Sequence, residues 1–600
     1  NCTNKVQLAM LRLWNCAFGP QLYRFFDAGG TSQVYQQNVM ESVPNYILGA
    51  AEFCFGIAKY GWPFYMPYVV KRVVSSTGER IRIRSVTYAV YSAGVLCLLA
   101  CAVLMRGVGR VLNPTYSEFI AVLSRAQRSL STENKEALSR FDFEFWAWPV
   151  EFDVASSRLR RPRQRPDRDG DAGGRGGPSD WLMKLCAAGL VRTVGVRLTY
   201  PGCTGLMNAV TRPFVQQARA RLRSEHGAER YKLRTDSGYE IEVFFVDKRR
   251  SGGSGDNGST LVVCCEGNAA YPEIGATGVP LDAGYSVIGW HHPGFGGSTG
   301  LPLPETEQEF MSTVLQFASE KLSFQLRDTT ILAWSIGGYT ASWAGANYPE
   351  LKYIILDATF DNIEGLAVKA MPQFASGLVR ESVRLEMNLN NAELLCRYPG
   401  PVKLIRRSQD EMITTGRPDE LHTNRGNYLL LALLRHRYPN LVCQASLDAL
   451  REFLAKRKTA EVQHYLTELG VSETECEDQL RQYYSARTAA DQPYPSRIGT
   501  ASATLASVTC SCSWLAKCSS TWRLRTALLS SLNCSLRHGL MLASCLARWQ
   551  RRRRRRRRRR RWLQRRQRQR RLLGAYLNLN ISETSRTRPK CFCFVTSKSF

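Results

Sequence analysis

The sequence has no Cys-x-x-Cys pair, few histidines and long stretches without charge, and each shortage narrows the reading. Nineteen cysteines in 600 residues could mean a disulfide framework or zinc sites, but the paired spacing a zinc site needs is missing. Seven of the nineteen (Cys510, Cys512, Cys518, Cys534, Cys545, Cys591, Cys593) follow Gly499, and the others are scattered. Cys264 and Cys265 sit in an apolar run of strand length, where free thiols pack as small hydrophobes, as suits a reducing compartment. Acid is almost absent from the C-terminal stretch: from Gly499 onward 25 Lys and Arg face a single Glu583. The first 498 residues carry 56 basic and 50 acidic side chains. The net charge of +30 therefore belongs to the tail, and the body does not read as a nucleic-acid binder.

Charge is also missing from Val86 to Met105, twenty residues closed by Arg106 and long enough to cross the hydrocarbon of a bilayer. A second, weaker span covers Tyr46 to Val70; its Glu52 and Lys59 fall seven apart on one helical face, and Pro63 and Pro67 would bend it. The two would form a transmembrane hairpin. Its basic loop (Lys71, Arg72, Arg80, Arg82, Arg84) favours a cytosolic position, while Arg106 and Arg110 pull the other way. Because the chain opens at Asn1 rather than at methionine, a start upstream of it is expected.

Phe141 to Pro149 alternates aromatic with acidic residues and then reaches two tryptophans, as an edge strand, an interfacial segment or a packed core would. Arg158 to Asp180 is rich in Arg, Pro, Gly and Asp, too poor in apolar surface to order itself, and reads as a linker. Beyond it, Tyr231–Thr235 and Glu240–Val246 form a hairpin, and apolar strands then alternate with helical stretches: 261–265, 285–290, 330–334, 353–356 and 402–405. Such alternation implies crossovers and a mostly parallel sheet. The expected divisions are 1–45, an N-terminal segment; 46–105, the membrane hairpin; 106–157, a membrane-proximal segment; 158–180, the linker; 181–498, an α/β domain; and 499–600, a basic tail.

Chemistry centres on Ala333-Trp334-Ser335-Ile336-Gly337-Gly338. A strand meets a small-residue turn and a helix that Pro349 stops, which puts Ser335 on a G-x-S-x-G nucleophile elbow with Ala333 in place of the first glycine. The helix start offers the Ile336 amide to a developing oxyanion, and the turn after 261–265, Glu266-Gly267-Asn268-Ala269, would supply a second amide from Ala269 or Asn268. A serine hydroxyl needs a base, and the base needs an acid to hold it. Asp410 follows the last strand at the expected remove, with Asp357 in reserve. After Asp410 the chain offers only His422, His436, His464 and His538, none of which reads as a base. His291 and His292 are adjacent and so point opposite ways, with no acid or cysteine at ligand spacing; the glycines after them would let the loop wall a pocket rather than hold a metal.

These motifs resemble the abhydrolase domain-containing protein 16 family. The similarity runs from about Tyr46 to Tyr484 and includes Arg106-Gly107-Val108-Gly109-Arg110, Cys264-Cys265-Glu266-Gly267-Asn268-Ala269, His292-Pro293-Gly294-Phe295, Trp334-Ser335-Ile336-Gly337-Gly338, Asn388-Leu389-Asn390-Asn391-Ala392-Glu393 and Asn424-Arg425-Gly426-Asn427. The resemblance implies an α/β-hydrolase fold behind a membrane hairpin and hydrolysis of an acyl ester of phosphatidylserine, with activity on monoacylglycerols. It implies an endoplasmic reticulum membrane with the catalytic domain facing the cytosol, and no metal or organic cofactor. The family's nucleophile falls on Ser335 and its acid on Asp410. Its histidine would fall near Arg487, before Pro493-Tyr494-Pro495, and no histidine stands there. After Gly499 the resemblance stops and eleven arginines run from Arg551 to Arg561: a frameshift or retained intron, with a basic tail for acidic lipid or RNA as the alternative. The function expected is a membrane-anchored serine hydrolase acting on a membrane glycerolipid. The rivals are an inactive relative serving as a membrane interaction protein and a peptidase or thioesterase with a soluble substrate.

Overall fold

The computed structural model describes residues 2–469, apart from 28–30, 75–77, 157–177, 250–255, 408–409, 418, 440–441, 443 and 457–458. The basic tail, the region around Arg487 and most of the expected linker lie outside the described residues.

The N-terminal part is helical. Helix α1 (Cys2–Phe18) is followed by β1 (Leu22–Phe26) and β2 (Ser32–Val34), then by two long helices, α2 (Val39–Val74) and α3 (Gly78–Leu112), which pack on each other. Among the described residues, Ala89–Leu112 of α3 is the stretch long and apolar enough to cross a membrane, with a mean hydropathy of 2.0. The weaker span expected over 46–70 lies within α2 and does not meet that test among the described residues; the side chain of Lys59 is not among those described.

The Arg-Gly-Val-Gly-Arg run ends α3 and joins it to its neighbours. Arg106 donates to the Ala17 carbonyl and Arg110 to the carbonyls of Cys16 and Gly19, so both guanidinium groups cap the C-terminus of α1. Arg110 also pairs with Glu41 at 2.8 Å, both side chains buried. A Cβ on Gly109 would lie 2.7 Å from the backbone of Met40, so only glycine admits so close an approach of α2.

Helices α4 (Pro114–Arg128) and α5 (Thr132–Ser139) lead to β3 (Phe141–Phe143), which joins the small sheet in the order β2-β1-β3. α4 starts where the Asn113 side chain accepts from the Thr115 amide and Pro114 fixes the first turn. Two of the roles open to Phe141–Pro149 are realised: Phe141–Phe143 is an edge strand of that sheet, and Phe141, Phe143, Phe145, Ala147 and Trp148 are buried against α4.

Among the described residues the second sheet has eight strands. After β4 (Phe152–Asp153) come helices α6 (Pro178–Leu190), α7 (Val196–Thr199) and α8 (Gly205–His226), then β5 (Glu229–Arg234), β6 (Glu240–Val246), β7 (Leu261–Cys265), the short α9 (Gly278–Asp282), β8 (Ser286–Trp290), α10 (Pro304–Glu320), β9 (Thr329–Trp334), α11 (Gly338–Asn347), β10 (Tyr353–Asp357), α12 (Glu364–Ala370), α13 (Ser376–Glu386), α14 (Asn391–Cys396), β11 (Val402–Ile405) and α15 (Arg425–Arg437). The order is β11-β10-β9-β7-β8-β6-β5-β4, antiparallel only where β6 pairs β5 and β8. β7 and β8 are buried throughout, as expected of parallel strands with helices on both faces. Two features were not legible in advance. The edge strand β4 comes from before the linker and pairs with β5, so the sheet is completed by the membrane-proximal segment. Helices α6 to α8 then intervene before the expected hairpin begins.

Candidate active site

Strand β9 ends at Trp334, and the chain turns into a single turn of 3-10 helix at Ser335–Gly337 and then α11. Ser335 has φ of 55°, a left-handed conformation that costs a non-glycine residue about 1–2 kcal/mol and recurs at active sites. The turn holds because its neighbours are small. Ala333 is fully buried, and a Cβ on Gly337 would come within 2.5 Å of the Glu266 carbonyl oxygen. Gly338 faces Thr359, whose hydroxyl donates to the Ser335 carbonyl at 3.0 Å. Ser335 itself is half-buried.

The turn after β7 lies directly beside the elbow, with Gly267 against the ring of Trp334. Its loop bonds run from the Ala270 amide to the Gly267 carbonyl and from the Gly202 amide to the Asn268 carbonyl, and neither uses the amide of Ala269. Ile336 is buried in a cluster with Tyr200, Tyr271, Phe295 and Ile413. That cluster gathers the α6–α8 region, the turn after β7 and the loop after β11 at one end of the sheet.

Register places the acids. Asp357 pairs with Trp334 on one side and Ile405 on the other, so the segments after β9, β10 and β11 leave the sheet at the same edge. Asp410, on the last of these, is buried and accepts from the amides of Met412 and Ile413. Burial raises its pKa; the two amides and Arg407 oppose that only in part. The reserve acid Asp357 is ion-paired with Arg407 at 3.0 Å, and Arg407 lies over the Trp334 ring.

Among the described residues no histidine bonds to Ser335 or Asp410. His422 and His436 are exposed, and His464 pairs with Glu468 at 3.4 Å. His291 and His292 do point opposite ways, as their adjacency requires. His292 meets Glu307 at 2.8 Å and donates to the Glu266 carbonyl at 3.0 Å. Burial alone would lower its pKa, but the carboxylate of Glu307 outweighs it and the net direction is upward.

His291 corrects one expectation. Acids do accompany it in space: Glu273 at 2.9 Å and Glu242 at 3.4 Å, the three forming a buried group within 4.8 Å of one another. They come from separate loops and strands, so spacing along the chain could not show them. The counter-charge is supplied by Arg219 of α8, 3.0 Å from Glu242 and 2.9 Å from Glu273, and by Arg230, 2.6 Å from Glu242. Burial would raise Glu242, yet Arg230, Arg219 and His291 together hold it well below the usual carboxylate range. Through Arg219 this network fastens the α6–α8 region to the sheet.

Comparison with known proteins sets this geometry in a family. Residues 11–144 match the phosphatidylserine lipase ABHD16 N-terminal domain, and residues 260–422 match the alpha/beta hydrolase fold. The phosphatidylserine lipase ABHD16A of Homo sapiens is 39% identical over 511 residues, covering 79% of this chain and 90% of the relative. The chain belongs to the ABHD16 family. An uncharacterized protein of Caenorhabditis elegans is 30% identical over 447 residues, covering 72% of this chain and 86% of its own. Among solved structures, an esterase of Pyrococcus furiosus superposes with a TM-score of 0.27 at 12% identity, over 35% of this chain and 76% of its own. Like its ABHD16 relatives the chain is a hydrolase, of the α/β-hydrolase fold expected from the sequence.

Proposed function

We propose that this ABHD16 protein is a membrane-anchored serine lipase that cleaves an acyl ester of phosphatidylserine or a related glycerolipid such as a monoacylglycerol. The observation that carries the reading is Ser335: half-buried, held at φ of 55°, at the junction of a central parallel strand and the helix after it. Its oxygen would attack the acyl carbonyl, and the amides of Ile336 and Ala269 would receive the charge that moves onto the carbonyl oxygen. Asp410 would orient the base that removes the hydroxyl proton and returns it to the departing glycerol oxygen. Support for the substrate class comes from the name of the relatives, phosphatidylserine lipase, and from α3, which would hold the site near lipid that never leaves the bilayer. The expected placement is the cytosolic face of the endoplasmic reticulum.

A second reading rests on one observation: no described histidine bonds to Asp410, and none stands at Arg487. The chain would then be an impaired relative acting as a membrane interaction protein. A fluorophosphonate probe separates the two. Labelling that disappears in Ser335→Ala supports the lipase, and equal absence of labelling in both chains rejects it.

A further inference from the structure

Helix α8 faces the wrong way for a soluble domain. Leu206, Val210 and Phe214 recur every four residues on one face and are 75%, 59% and 64% exposed, while the opposite face carries Asn208, Val215 and Arg219 into the protein. Leu198 and Val194, just before it, are also exposed. From Trp181 to Ser224 the chain holds no acid and seven bases, and of these Lys184, Arg192, Arg212 and Arg221 are exposed, Arg192 pairing with Glu386 of α13.

We propose that this face is a second membrane contact: α8 lies in the plane of a bilayer bearing anionic phospholipid, its apolar stripe in the acyl boundary and its bases among the head groups. Three observations select lipid as the occupant. The first is composition, since a segment with an exposed apolar stripe, exposed bases and no acid of its own is what an anionic interface attracts, whereas the surface of a soluble partner presents both signs. The second is attachment. Arg219 binds Asp142 at 3.0 Å and Arg223 donates to the Ser139 carbonyl, which ties the C-terminal half of α8 to the part of the chain that carries the apolar helix α3. The third is position. Just ahead of α8, Gly202 packs so tightly on Phe295 that a Cβ would lie 2.1 Å from its ring, and the Gly202 amide donates to Asn268 in the turn beside Ser335. Docking by α8 would therefore set the mouth of the candidate site against the lipid surface.

The test uses the full chain in proteoliposomes, with an environment-sensitive fluorescent amino acid encoded at Val210 and, for comparison, at Lys321, which lies toward the start of β9, the far end of the sheet from Ser335. Doxyl-labelled phospholipid should quench the probe at 210 about threefold more than at 321, and the difference should fall when about 30 mol% phosphatidylglycerol is replaced by neutral lipid. Equal quenching at both positions overturns the proposal. So does a blue shift at 210 that grows with protein concentration and is not quenched, because a second protein would then be the occupant. The variant carrying Leu206→Asp, Val210→Asp and Phe214→Asp should hydrolyse vesicle-borne glycerolipid about tenfold more slowly while changing hydrolysis of soluble p-nitrophenyl butyrate less than about twofold; unchanged vesicle hydrolysis counts against docking. The activity arm rests on the lipase reading and the quenching arm does not. A chain that cleaves neither ester fails as a lipase while the quenching still decides where α8 lies.

Discussion

The Thr359 hydroxyl donates to the Ser335 carbonyl at 3.0 Å, so the second residue after β10 fixes the backbone of the proposed nucleophile after β9. A left-handed serine persists only if its surroundings over-determine it. Thr359→Val removes the hydrogen bond while keeping the shape that fits against Gly338. The expected result is fluorophosphonate labelling of Ser335 slowed about tenfold, with stability lowered by only about 1 kcal/mol, the worth of one hydrogen bond. Labelling at the wild-type rate would mean that the small residues around the elbow hold it unaided.

Arg219 is the one side chain that touches Asp142, Glu242 and Glu273 together among the described residues. Replacing it with Met keeps the aliphatic stem and leaves the three buried carboxylates to Arg230 and His291. Breaking a buried pair from one side costs about 3–5 kcal/mol. Arg219→Met should therefore lower the melting temperature by more than any single substitution on the exposed face of α8, and limited proteolysis should open the α6–α8 region first. A melting temperature within about 2 °C of the wild type, corresponding to less than 1 kcal/mol in a domain of this size, would show that Arg230 and His291 suffice to hold the cluster.

The contrast between these residues shows what a sequence can carry. Ser335 was legible because strand, small turn and helix are consecutive, and the constraint that makes the elbow is local. The mostly parallel pairing of β7 to β11 is legible for the same reason, because apolar strands alternate with helices, although their order in the sheet is not. The partners of His291 were not, because Glu242 and Glu273 approach it only once the sheet is assembled. Nor was the origin of β4, two residues long and separated from β5 by three helices. Helix α8 escaped notice because its stripe is short, and a stripe on the outside looks in sequence like one on the inside.

Glu266 offers a pH test. It is fully buried between β7 and the proposed oxyanion turn and accepts from the Ala276 amide. Burial pushes its pKa up to about 7, with the Ala276 amide and His292 opposing. Below the unfolded value near 4.5 the group is neutral in both states and affects nothing. As pH rises toward 7 the unfolded chain ionises and the folded one does not, so stability is lost through that window, by roughly 3 kcal/mol once pH exceeds 7. Glu266→Gln keeps an acceptor for Ala276 without a charge to bury. Thermal melts should show it more stable than the wild type at pH 8 and equal to it near pH 4. A difference independent of pH would locate the effect in packing.

The two acids that leave the sheet beside the elbow can be told apart by how much labelling each supports. Asp410 is buried and accepts through a single oxygen, Oδ1, from the amides of Met412 and Ile413 in its own turn. Asp357 is held in an ion pair with Arg407 over the Trp334 ring, a surface arrangement worth at most about 1 kcal/mol. If Asp410 orients a base, Asp410→Asn keeps the turn and loses the charge, and fluorophosphonate labelling should slow by about a thousandfold or more. Asp357→Asn frees Arg407 and should change labelling less than about threefold, since it removes only that pair. The reverse order would transfer the role to Asp357. Equal, small effects from both would mean that Ser335 reacts without a carboxylate-held base, which is the behaviour of an impaired relative, and added imidazole should then accelerate the wild-type chain as much as either variant.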